Sequence, residues 1–293
     1  MNKKCGYVAI IGRPNVGKST LLNHLIGEKV SIISPKAQTT RHTILGIKTE
    51  DHSQTIYIDT PGIHGEERAA MNRYMNRLAT GVITDADVIV FMIEATRWQP
   101  DDEVVLEKLV HATQPVILAI NKIDLLKDKT RLLPLIDRIK ERLGFSDIIP
   151  ISVSKNNNID ALQKIIVNHL PEGDFLFPAD TVTDKTLLFQ VAECVREKLI
   201  RLTAQEIPYS TTVVIESLQE DEKIVHINAL IWVEREGQKS IVIGQDGERL
   251  KKIGTSARLD LEKMLHKKVF LRLWVKVKDD WTNNERLLQD RMN

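Results

Sequence analysis

Cysteine is scarce in this chain, and positive and negative charges nearly cancel. Only Cys5 and Cys194 occur among 293 residues, far apart and without the spacing of a metal-binding motif. We therefore expect no disulfide or zinc framework, and the composition fits a reducing compartment. The formal net charge of +1 indicates neither a nucleic acid nor a membrane as the partner.

The sequence also lacks a long uninterrupted hydrophobic run. The apolar stretch near the N-terminus is short and ends at Gly12, and no signal-peptide pattern or membrane span is apparent. We expect a cytoplasmic protein. With 42% hydrophobic and 28% charged residues and no internal repeat, the chain has a globular composition, and its length accommodates about two domains.

The most informative motif follows the apolar run from Tyr7 to Ile11. Residues 12–19 read Gly-Arg-Pro-Asn-Val-Gly-Lys-Ser and fit the phosphate-binding pattern GxxxxGK[ST]. Such a loop turns backbone N–H groups toward a phosphate, and the helix that follows adds its positive N-terminus. We expect Lys18 to reach the β- and γ-phosphates and Ser19 to bind Mg²⁺. The nucleotide-binding residues predicted from this motif are Gly12, Asn15, Val16, Gly17, Lys18, Ser19 and Thr20.

A second motif, Asp59-Thr60-Pro61-Gly62, follows the strand-like run from Gln54 to Ile58. Asp59 is expected to hold the magnesium ion through water, and the Gly62 N–H to meet the γ-phosphate. The same cluster is also ordinary turn chemistry. The motif therefore indicates nucleotide binding only in combination with the phosphate-binding loop that precedes it.

The polar segment from Ser34 to His42 lies between these two motifs and shows no periodicity. We interpret it as a switch that closes over the γ-phosphate. Thr40 is the first candidate for a threonine that binds magnesium only in the GTP state, and Thr39 is the second. The alternative is a solvated loop.

A third motif, Asn121-Lys122-Ile123-Asp124, follows the apolar run from Val116 to Ile120, where a central parallel strand would end. The Asp124 carboxylate can accept hydrogen bonds from N1–H and the N2 amino group of guanine, an edge that adenine lacks. Leaving it unpaired costs roughly 1 to 3 kcal/mol. GTP is therefore favoured over ATP. Ser152 and Val153 follow the next strand-like run and are placed to reach guanine O6.

This order of motifs, with Thr39-Thr40-Arg41 and the loop 12–19, resembles the translation-factor class of GTPases and, within it, the Era family. The resemblance runs the full chain. It implies a GTPase that hydrolyses GTP to GDP and phosphate with Mg²⁺. It also implies that this GTPase binds the 3′ end of 16S ribosomal RNA and assists maturation of the small ribosomal subunit.

The fold class expected is α/β: a doubly wound P-loop GTPase domain followed by a smaller α+β domain. Strand-like runs alternate with helical segments up to Leu170, which is typical of a mostly parallel sheet. Helices are expected at 20–26, 101–111, 131–143 and 159–169. Proline and glycine then break the pattern. We expect the GTP-binding domain at 1–170, a linker at 171–184, the second domain at 185–280 and a helical tail at 281–293.

The second domain resembles a type II KH domain. A helix at 187–202 precedes strands at 210–218 and 224–234, a Gly244-Gln245-Asp246-Gly247 turn between two helical pieces, a long helix ending near His266 and a strand at 269–277. In that module the GxxG turn admits a nucleic-acid backbone, and the adjacent groove takes about four unstacked bases. The predicted RNA-binding residues are Ile243, Gly244, Gln245, Gly247, Lys251 and Lys252.

Local charge in the second domain supports a phosphate-facing surface. Residues 239–278 hold eleven Lys and Arg against four Asp and Glu, a difference of +7. The alternative is a solvated helix face. Asp246 and Glu248 put negative charge at the turn, where members of the family often carry lysine. Lys251 and Lys252 are therefore expected to contribute more than the turn itself. The ending at 281–293 departs from the Gly-Tyr ending associated with the family.

The hydrolytic machinery is incomplete in one respect. Many GTPases place a glutamine after Asp-Thr-Pro-Gly to orient the attacking water, and here Ile63 occupies that position. Slow intrinsic hydrolysis is expected. His64 is a candidate base, with a solvated loop histidine as the alternative. In related GTPases with Pro-Asn in this loop, the asparagine helps to bind K⁺ near the phosphates, and we carry that role to Asn15 as a hypothesis. The predicted catalytic residues are Lys18, Asn15 and Thr40.

Two other functions are each favoured or opposed by particular residues. In one, the chain is a signalling switch whose second domain binds a protein or the inner membrane surface, which would add a peripheral membrane location. The acidic residues at the GxxG turn favour that alternative. In the other, the chain is an ATP-driven RNA remodelling enzyme, which conflicts with the guanine motif from Asn121 to Asp124.

Overall fold

The computed structural model describes residues 3–36, 39–63, 70–203 and 211–278. The chain divides into two compact units, one of Met1–Ser31 with Thr40–Asp184 and one of Ile32–Thr39 with Lys185–Asn293. Across the described ranges, no helix is long and apolar enough to cross a bilayer. His64 and the predicted tail helix at 281–293 lie outside these ranges.

In its described part, the first unit alternates strands with helices. The strands are β1 (Lys4–Ile11), β2 (Ile44–Glu50), β3 (Ser53–Asp59), β4 (Val88–Glu94), β5 (Val116–Asn121) and β6 (Asp147–Pro150). The helices are α1 (Lys18–Ile26), α2 (Ala70–Asp85), α3 (Pro100–Leu109), α4 (Leu132–Lys140) and α5 (Ile159–His169). Short 3₁₀ turns cover Ile123–Leu125 and Lys129–Arg131.

These strands form one six-stranded sheet in the order β2-β3-β1-β4-β5-β6. All neighbours are parallel except β2 and β3, which confirms the mostly parallel sheet. Every residue of β3, β4 and β5 is buried, because apolar clusters cover both faces of the sheet. The carboxyl ends of β1, β3 and β5 carry the three sequence motifs, so the fold gathers them at one edge.

Three elements, α2, β2 and β4, lie where no helix or strand is predicted from the sequence. The buried stripe of α2 consists of Met71, Tyr74, Met75, Ala79 and Ile83. This stripe has helical spacing, but it mixes small and polar-tipped residues with aliphatic ones, so its periodicity is weak. Strand β2 is the antiparallel edge of the sheet and is therefore only partly buried.

Residues 171–184, expected to be a linker, belong to the first unit. Fully buried Gln54 holds this segment: its side-chain oxygen accepts hydrogen bonds from the Leu176 and Phe177 N–H groups at 2.8 and 2.9 Å. Ile47 N–H donates to the Val182 carbonyl at 2.8 Å. The segment is thus hydrogen-bonded to β2 and β3.

The second unit contains α6 (Leu187–Leu202), β7 (Thr212–Glu220), β8 (Ile224–Val233), α7 (Glu236–Ile243), α8 (Glu248–Leu265) and β9 (Lys268–Val277). The sheet order is β7-β8-β9, with β7 antiparallel and β9 parallel to β8. One face of this sheet buries an apolar core with α6, α7 and α8. The α-β-β-α-α-β order confirms the KH-type α+β domain.

Candidate nucleotide site and RNA groove

The phosphate loop connects β1 to α1 in a tight curve. Gly17 caps α1 with a φ of 108°, a conformation that disfavours any side chain. A β-carbon at Gly17 would lie only 2.5 Å from the Asn121 side-chain nitrogen. The loop can therefore close against the guanine motif only because this residue is glycine.

Lys18 points its ammonium group into the loop. Its Nζ donates hydrogen bonds to the Gly12 and Arg13 carbonyls at 3.0 and 3.1 Å. Burial lowers the pKa of Lys18 to about 8, nearby Asp59 raises it in part, and Arg13 lowers it further. A bound phosphate would supply negative charge beside the Lys18 ammonium group and so favour its protonated form.

Three hydroxyl groups converge on the carboxylate of Asp59, which is fully buried at the end of β3. Asp59 Oδ2 accepts from Ser19 Oγ at 2.7 Å, from Ser31 Oγ at 2.8 Å and from Thr40 Oγ1 at 3.4 Å. The Ser19 and Thr40 hydroxyls are 2.8 Å apart. Burial raises the pKa of Asp59, and the hydroxyl donors and Lys18 counteract that rise.

The arrangement at Asp59 fits a magnesium ion. Within the described ranges, its Oδ1 atom is buried and accepts no hydrogen bond. A buried carboxylate oxygen beside two hydroxyl groups is a hard oxygen set of the kind that Mg²⁺ prefers. Of the two candidate threonines, the structure brings Thr40 to this point, whereas the Thr39 hydroxyl bonds to the Lys36 carbonyl at 2.7 Å.

The guanine motif is built around Asn121 at the end of β5. Its amide nitrogen donates to the Val16 carbonyl at 2.8 Å, and its oxygen accepts from the Val153 N–H at 3.2 Å. Asp124 is exposed, and it accepts a hydrogen bond from the Ser152 hydroxyl, the principal cause that lowers its pKa. An ionised, oriented and open carboxylate is what a guanine edge requires.

The loop residue Asn15 lies on the open side of the site. It is exposed and adopts a φ of 65°, which leaves its carbonyl to accept from Lys122 Nζ at 2.9 Å. Val16 is fully buried, and Thr20 lies half-buried in α1. The nucleotide-binding residues predicted from the phosphate-loop motif therefore lie in one continuous segment, which consists of the loop and the first turn of α1.

A buried ionic network supports this loop, and no sequence motif indicates it. Arg13 is 4% exposed; its Nη2 donates to Glu94 Oε2 and its Nε to Asp102 Oδ2, both at 3.1 Å. Lys122 also donates to Glu94, at 3.1 Å. Burial opposes ionisation of Glu94, but donors from Thr96, Lys122 and Arg13 lower its pKa to about 2. In the motif pattern, the Arg13 position accepts any residue, so no signal marks its partners.

The residues after Asp59 close on the phosphate loop. A β-carbon at Gly62 would lie 2.6 Å from the Pro14 nitrogen, so Gly62 allows close packing. The Ile63 N–H donates to the Gly12 carbonyl at 3.3 Å, and the Ile63 side chain is fully buried in the cluster between α2, α3 and the sheet. The side chain at this position therefore points away from the phosphates.

Part of the predicted switch, Ile32–Thr39, groups with the second unit. Within that unit, Arg196 of α6 donates to the Thr39 carbonyl while paired with Glu193, and it is 2% exposed. Arg201 donates to the Ile33 carbonyl at 2.8 and 3.1 Å. The sequence pattern predicts a mobile polar loop here, and it contains no sign of these backbone contacts.

The GxxG turn opens onto a cavity of about 410 Å³ in the second unit. Its lining comprises Gly247, Leu250, Lys251, Gly254, Thr255, Arg258, Leu271 and Leu273. Of the predicted RNA-binding residues, Gly247 and Lys251 line it. Ile243 just before the turn and Gly244, its first residue, are half-buried, and Gln245 is exposed. The Lys252 ammonium is exposed and lies 3.7 Å from the Glu248 carboxylate. Residues after Lys252 are missing from the prediction because the lining is set by packing of α8 against β9.

Comparisons with known proteins agree with both halves of this description. Residues 7–122 match the 50S ribosome-binding GTPase family, and residues 206–282 match the KH domain family. The chain is 51% identical to the GTPase Era of Pseudomonas fluorescens over 286 residues, which cover 98% of this chain and 95% of that protein. Identity to the Pseudomonas aeruginosa GTPase Era is 49%, covering 98% and 94%.

Solved structures resemble the whole chain. A crystal structure of Era in complex with MgGDPNP and nucleotides 1506–1542 of 16S ribosomal RNA superimposes with a TM-score of 0.94 and 45% identity. It covers 98% of both chains. A variant of Aquifex aeolicus Era bound to GDP and AlF4⁻ gives a TM-score of 0.93 at the same identity and coverage.

Proposed function

The chain belongs to the Era family of GTPases, and on that premise we propose that it binds the 3′ end of 16S ribosomal RNA and assists maturation of the small ribosomal subunit. As a member of that family it hydrolyses GTP to GDP and phosphate. The observation that carries the RNA proposal is the likeness, over 98% of the chain, to an Era structure containing MgGDPNP and that RNA.

The geometry supports specific roles for the nucleotide-binding residues. Lys18 would exchange the Gly12 and Arg13 carbonyls for phosphate oxygens, which stabilises negative charge as it develops during phosphoryl transfer. Asp124 would accept hydrogen bonds from guanine while Ser152 keeps the carboxylate oriented. Asn121 would hold the loop and base motif together.

A magnesium ion at Asp59, when bound, would neutralise phosphate charge. Ser19 and Thr40 would contribute hydroxyl oxygens and Asp59 would act through water, since these groups already lie within hydrogen-bonding distance of one another. The Thr40 contribution would depend on a closed switch. Loss of the γ-phosphate would therefore release the segment 34–42.

We assign a potassium-dependent contribution to Asn15. Its exposure and its φ of 65° leave the side chain free to face the nucleotide while the main-chain carbonyl is held by Lys122. Hydrolysis by the purified protein should be faster in KCl than in NaCl, and Asn15→Ala should remove that difference. A wild-type rate indifferent to the cation, or a variant that keeps the response, would exclude this role.

The RNA proposal is tested by fluorescence anisotropy with a single-stranded RNA matching the 16S 3′ end and a scrambled control. The protein is loaded with a non-hydrolysable GTP analogue or with GDP. We expect the true sequence to bind more tightly than the scrambled RNA, with higher affinity in the GTP-analogue state. Equal affinity in the two nucleotide states would remove the coupling between nucleotide and RNA.

The groove is tested in the same assay with Lys251→Ala and Arg258→Ala, which remove cations from its lining. Lys223→Ala is the matched control, because it removes an exposed lysine from the turn between β7 and β8. Weaker binding only for the groove variants supports the assignment. RNA binding by none of the proteins would instead favour a protein or membrane-surface partner for the second domain, tested by liposome sedimentation without RNA.

A further inference from the structure

The edge strand β9 has two chemically different faces. Its core-facing side chains pack on the apolar cluster of the second unit or line the groove. The alternate side chains point to the opposite side of the sheet, because successive residues of a strand face opposite ways. These exposed side chains are Lys268, Phe270, Arg272, Trp274 and Lys276.

Two large aromatic side chains are unusually open on this face. Phe270 is 47% exposed and Trp274 is 42% exposed. They are four residues apart, about 13 Å along a strand. Each is flanked by cations on the same face, so the surface alternates ring and positive charge instead of forming a continuous apolar patch.

The neighbouring strand β8 extends the same surface. The register places His226 beside Phe270 and Trp232 beside Lys276. The His226 and Phe270 ring centroids are 5.6 Å apart, and the Lys278 ammonium lies 3.9 Å from the Trp232 ring centroid. We call this surface the open sheet face, defined by Lys268, Phe270, Arg272, Trp274, Lys276 and Lys278 with His226 and Trp232.

The charge on the open sheet face is predominantly positive. Lys276 lies 4.0 Å from Glu216 and Lys268 3.7 Å from Glu262, but these lysines are 66% and 79% exposed, so the pairs are weak. Arg272 stands over the Phe270 ring at 5.1 Å and, within residues 211–278, forms no ion pair. Because solvent weakens these ion pairs, most of the positive side chains can still bind an anion.

We propose that the open sheet face is a second RNA-binding surface, separate from the GxxG groove, which takes single-stranded RNA. Bases would stack on Phe270 and Trp274, and phosphates would lie against Arg272, Lys276 and Lys278. Exposed aromatic side chains on an open sheet are a recurrent platform for unstacked bases, and interspersed cations follow the backbone. A protein partner is less well matched, because cations alternate with the rings along β9, as a polyanion requires.

The two surfaces can be separated by mutation, since they use opposite sides of one strand. Leu271 and Leu273 line the groove, whereas Phe270, Arg272 and Trp274 do not. An RNA that fills only the groove should therefore ignore changes on the open sheet face. A longer strand, which can continue around the edge formed by β9, should respond to both.

The test uses the full chain loaded with a non-hydrolysable GTP analogue and two single-stranded RNAs, one of about four nucleotides and one of about twenty. The double variant Phe270→Ala/Trp274→Ala should bind the longer RNA at least about 25-fold more weakly, because each of the two lost base stacks costs roughly fivefold or more. It should bind the short RNA like the wild type. Leu259→Ala, which removes an aliphatic side chain 46% exposed on α8, is the control and should change neither affinity.

Arg272→Glu provides an independent variant that keeps both rings and reverses one charge. It should weaken binding of the longer RNA, more so at low salt than at high salt. Ultraviolet crosslinking of the wild type, mapped by mass spectrometry, should give adducts on the peptide that contains Phe270 and Trp274. Wild-type affinity of both variants for the longer RNA, or crosslinks confined to the groove, would overturn the proposal. If Lys251→Ala and Arg258→Ala bound RNA like the wild type while the variants of the open sheet face bound it more weakly, the proposed groove function would be wrong. The proposal for the open sheet face would stand.

Discussion

The side-chain amide of Asn121 joins two loops: its nitrogen donates to the Val16 carbonyl at 2.8 Å and its oxygen accepts from the Val153 N–H at 3.2 Å. Asn121 is 4% exposed, so water cannot replace these bonds. One side chain of the guanine motif therefore holds both the phosphate loop and the loop that contains Val153.

Asn121→Ala should weaken GTP and GDP binding alike, because it leaves a buried carbonyl and a buried N–H unpaired. A loss of about 2 to 4 kcal/mol is expected for the two groups, close to a hundredfold in dissociation constant. Titration of a fluorescent guanine nucleotide measures it. Asn168→Ala, at an exposed position near the end of α5, should keep wild-type affinity. If Asn121→Ala bound nucleotide as tightly as Asn168→Ala, Asn121 would not be what holds the two loops in place.

The pKa of Lys18, about 8 without nucleotide, predicts a pH-dependent affinity. Phosphate binds the protonated form and raises its pKa, so affinity should fall as the pH rises through 8, by up to about tenfold per pH unit. Nucleotide titrations between about pH 7 and about pH 9 measure the slope. Lys18→Met should bind weakly and lose this dependence, which separates the lysine from ionisation of guanine. A slope retained in Lys18→Met would assign the proton elsewhere.

Glu94 should stabilise the folded protein through Arg13 and Lys122. Its pKa falls from 4.5 to about 2 on folding, so the stabilisation is present above pH 4.5 and is lost as the pH falls toward 2. Glu94→Gln should lower the free energy of unfolding by about 2 kcal/mol at neutral pH, because buried Arg13 would lose one of its two carboxylate partners and keep only Asp102. Urea unfolding measures this. The control is Glu103→Gln, at a half-buried carboxylate whose partner Arg142 lies at the surface, and this change should cost much less.

Ile63→Gln should not create a water-orienting glutamine. The side chain at this position is fully buried among apolar residues, so an amide there would be unpaired and would destabilise the fold by about 2 kcal/mol. Single-turnover hydrolysis should be no faster than in the wild type. Ile63→Val, which keeps the apolar contact, should cost about 1 kcal/mol and leave hydrolysis unchanged. Faster hydrolysis by Ile63→Gln would show that the side chain can turn toward the phosphates.

The motif residues could be identified from the sequence because their chemistry depends on neighbours along the chain. Gly17, Lys18 and Ser19 are consecutive, and a strand followed by such a loop and a helix has few alternative conformations. The same holds for the run from Asn121 to Asp124 at the end of a buried strand. The sequence does not indicate helix α2, because four of the five apolar residues in its buried stripe are methionine, tyrosine or alanine.

The sequence by itself determined the class of nucleotide chemistry, the fold class of each half and the order of the nucleotide-binding motifs, because local patterns specify loops, caps and buried strands. Only the tertiary structure decided which distant residues meet. It placed Glu94 and Asp102 on Arg13, brought Thr40 instead of Thr39 to Asp59, and turned Ile63 into the core. It also gave β9 a core side and an open side, because those contacts depend on sheet order and helix packing, which periodicity does not encode.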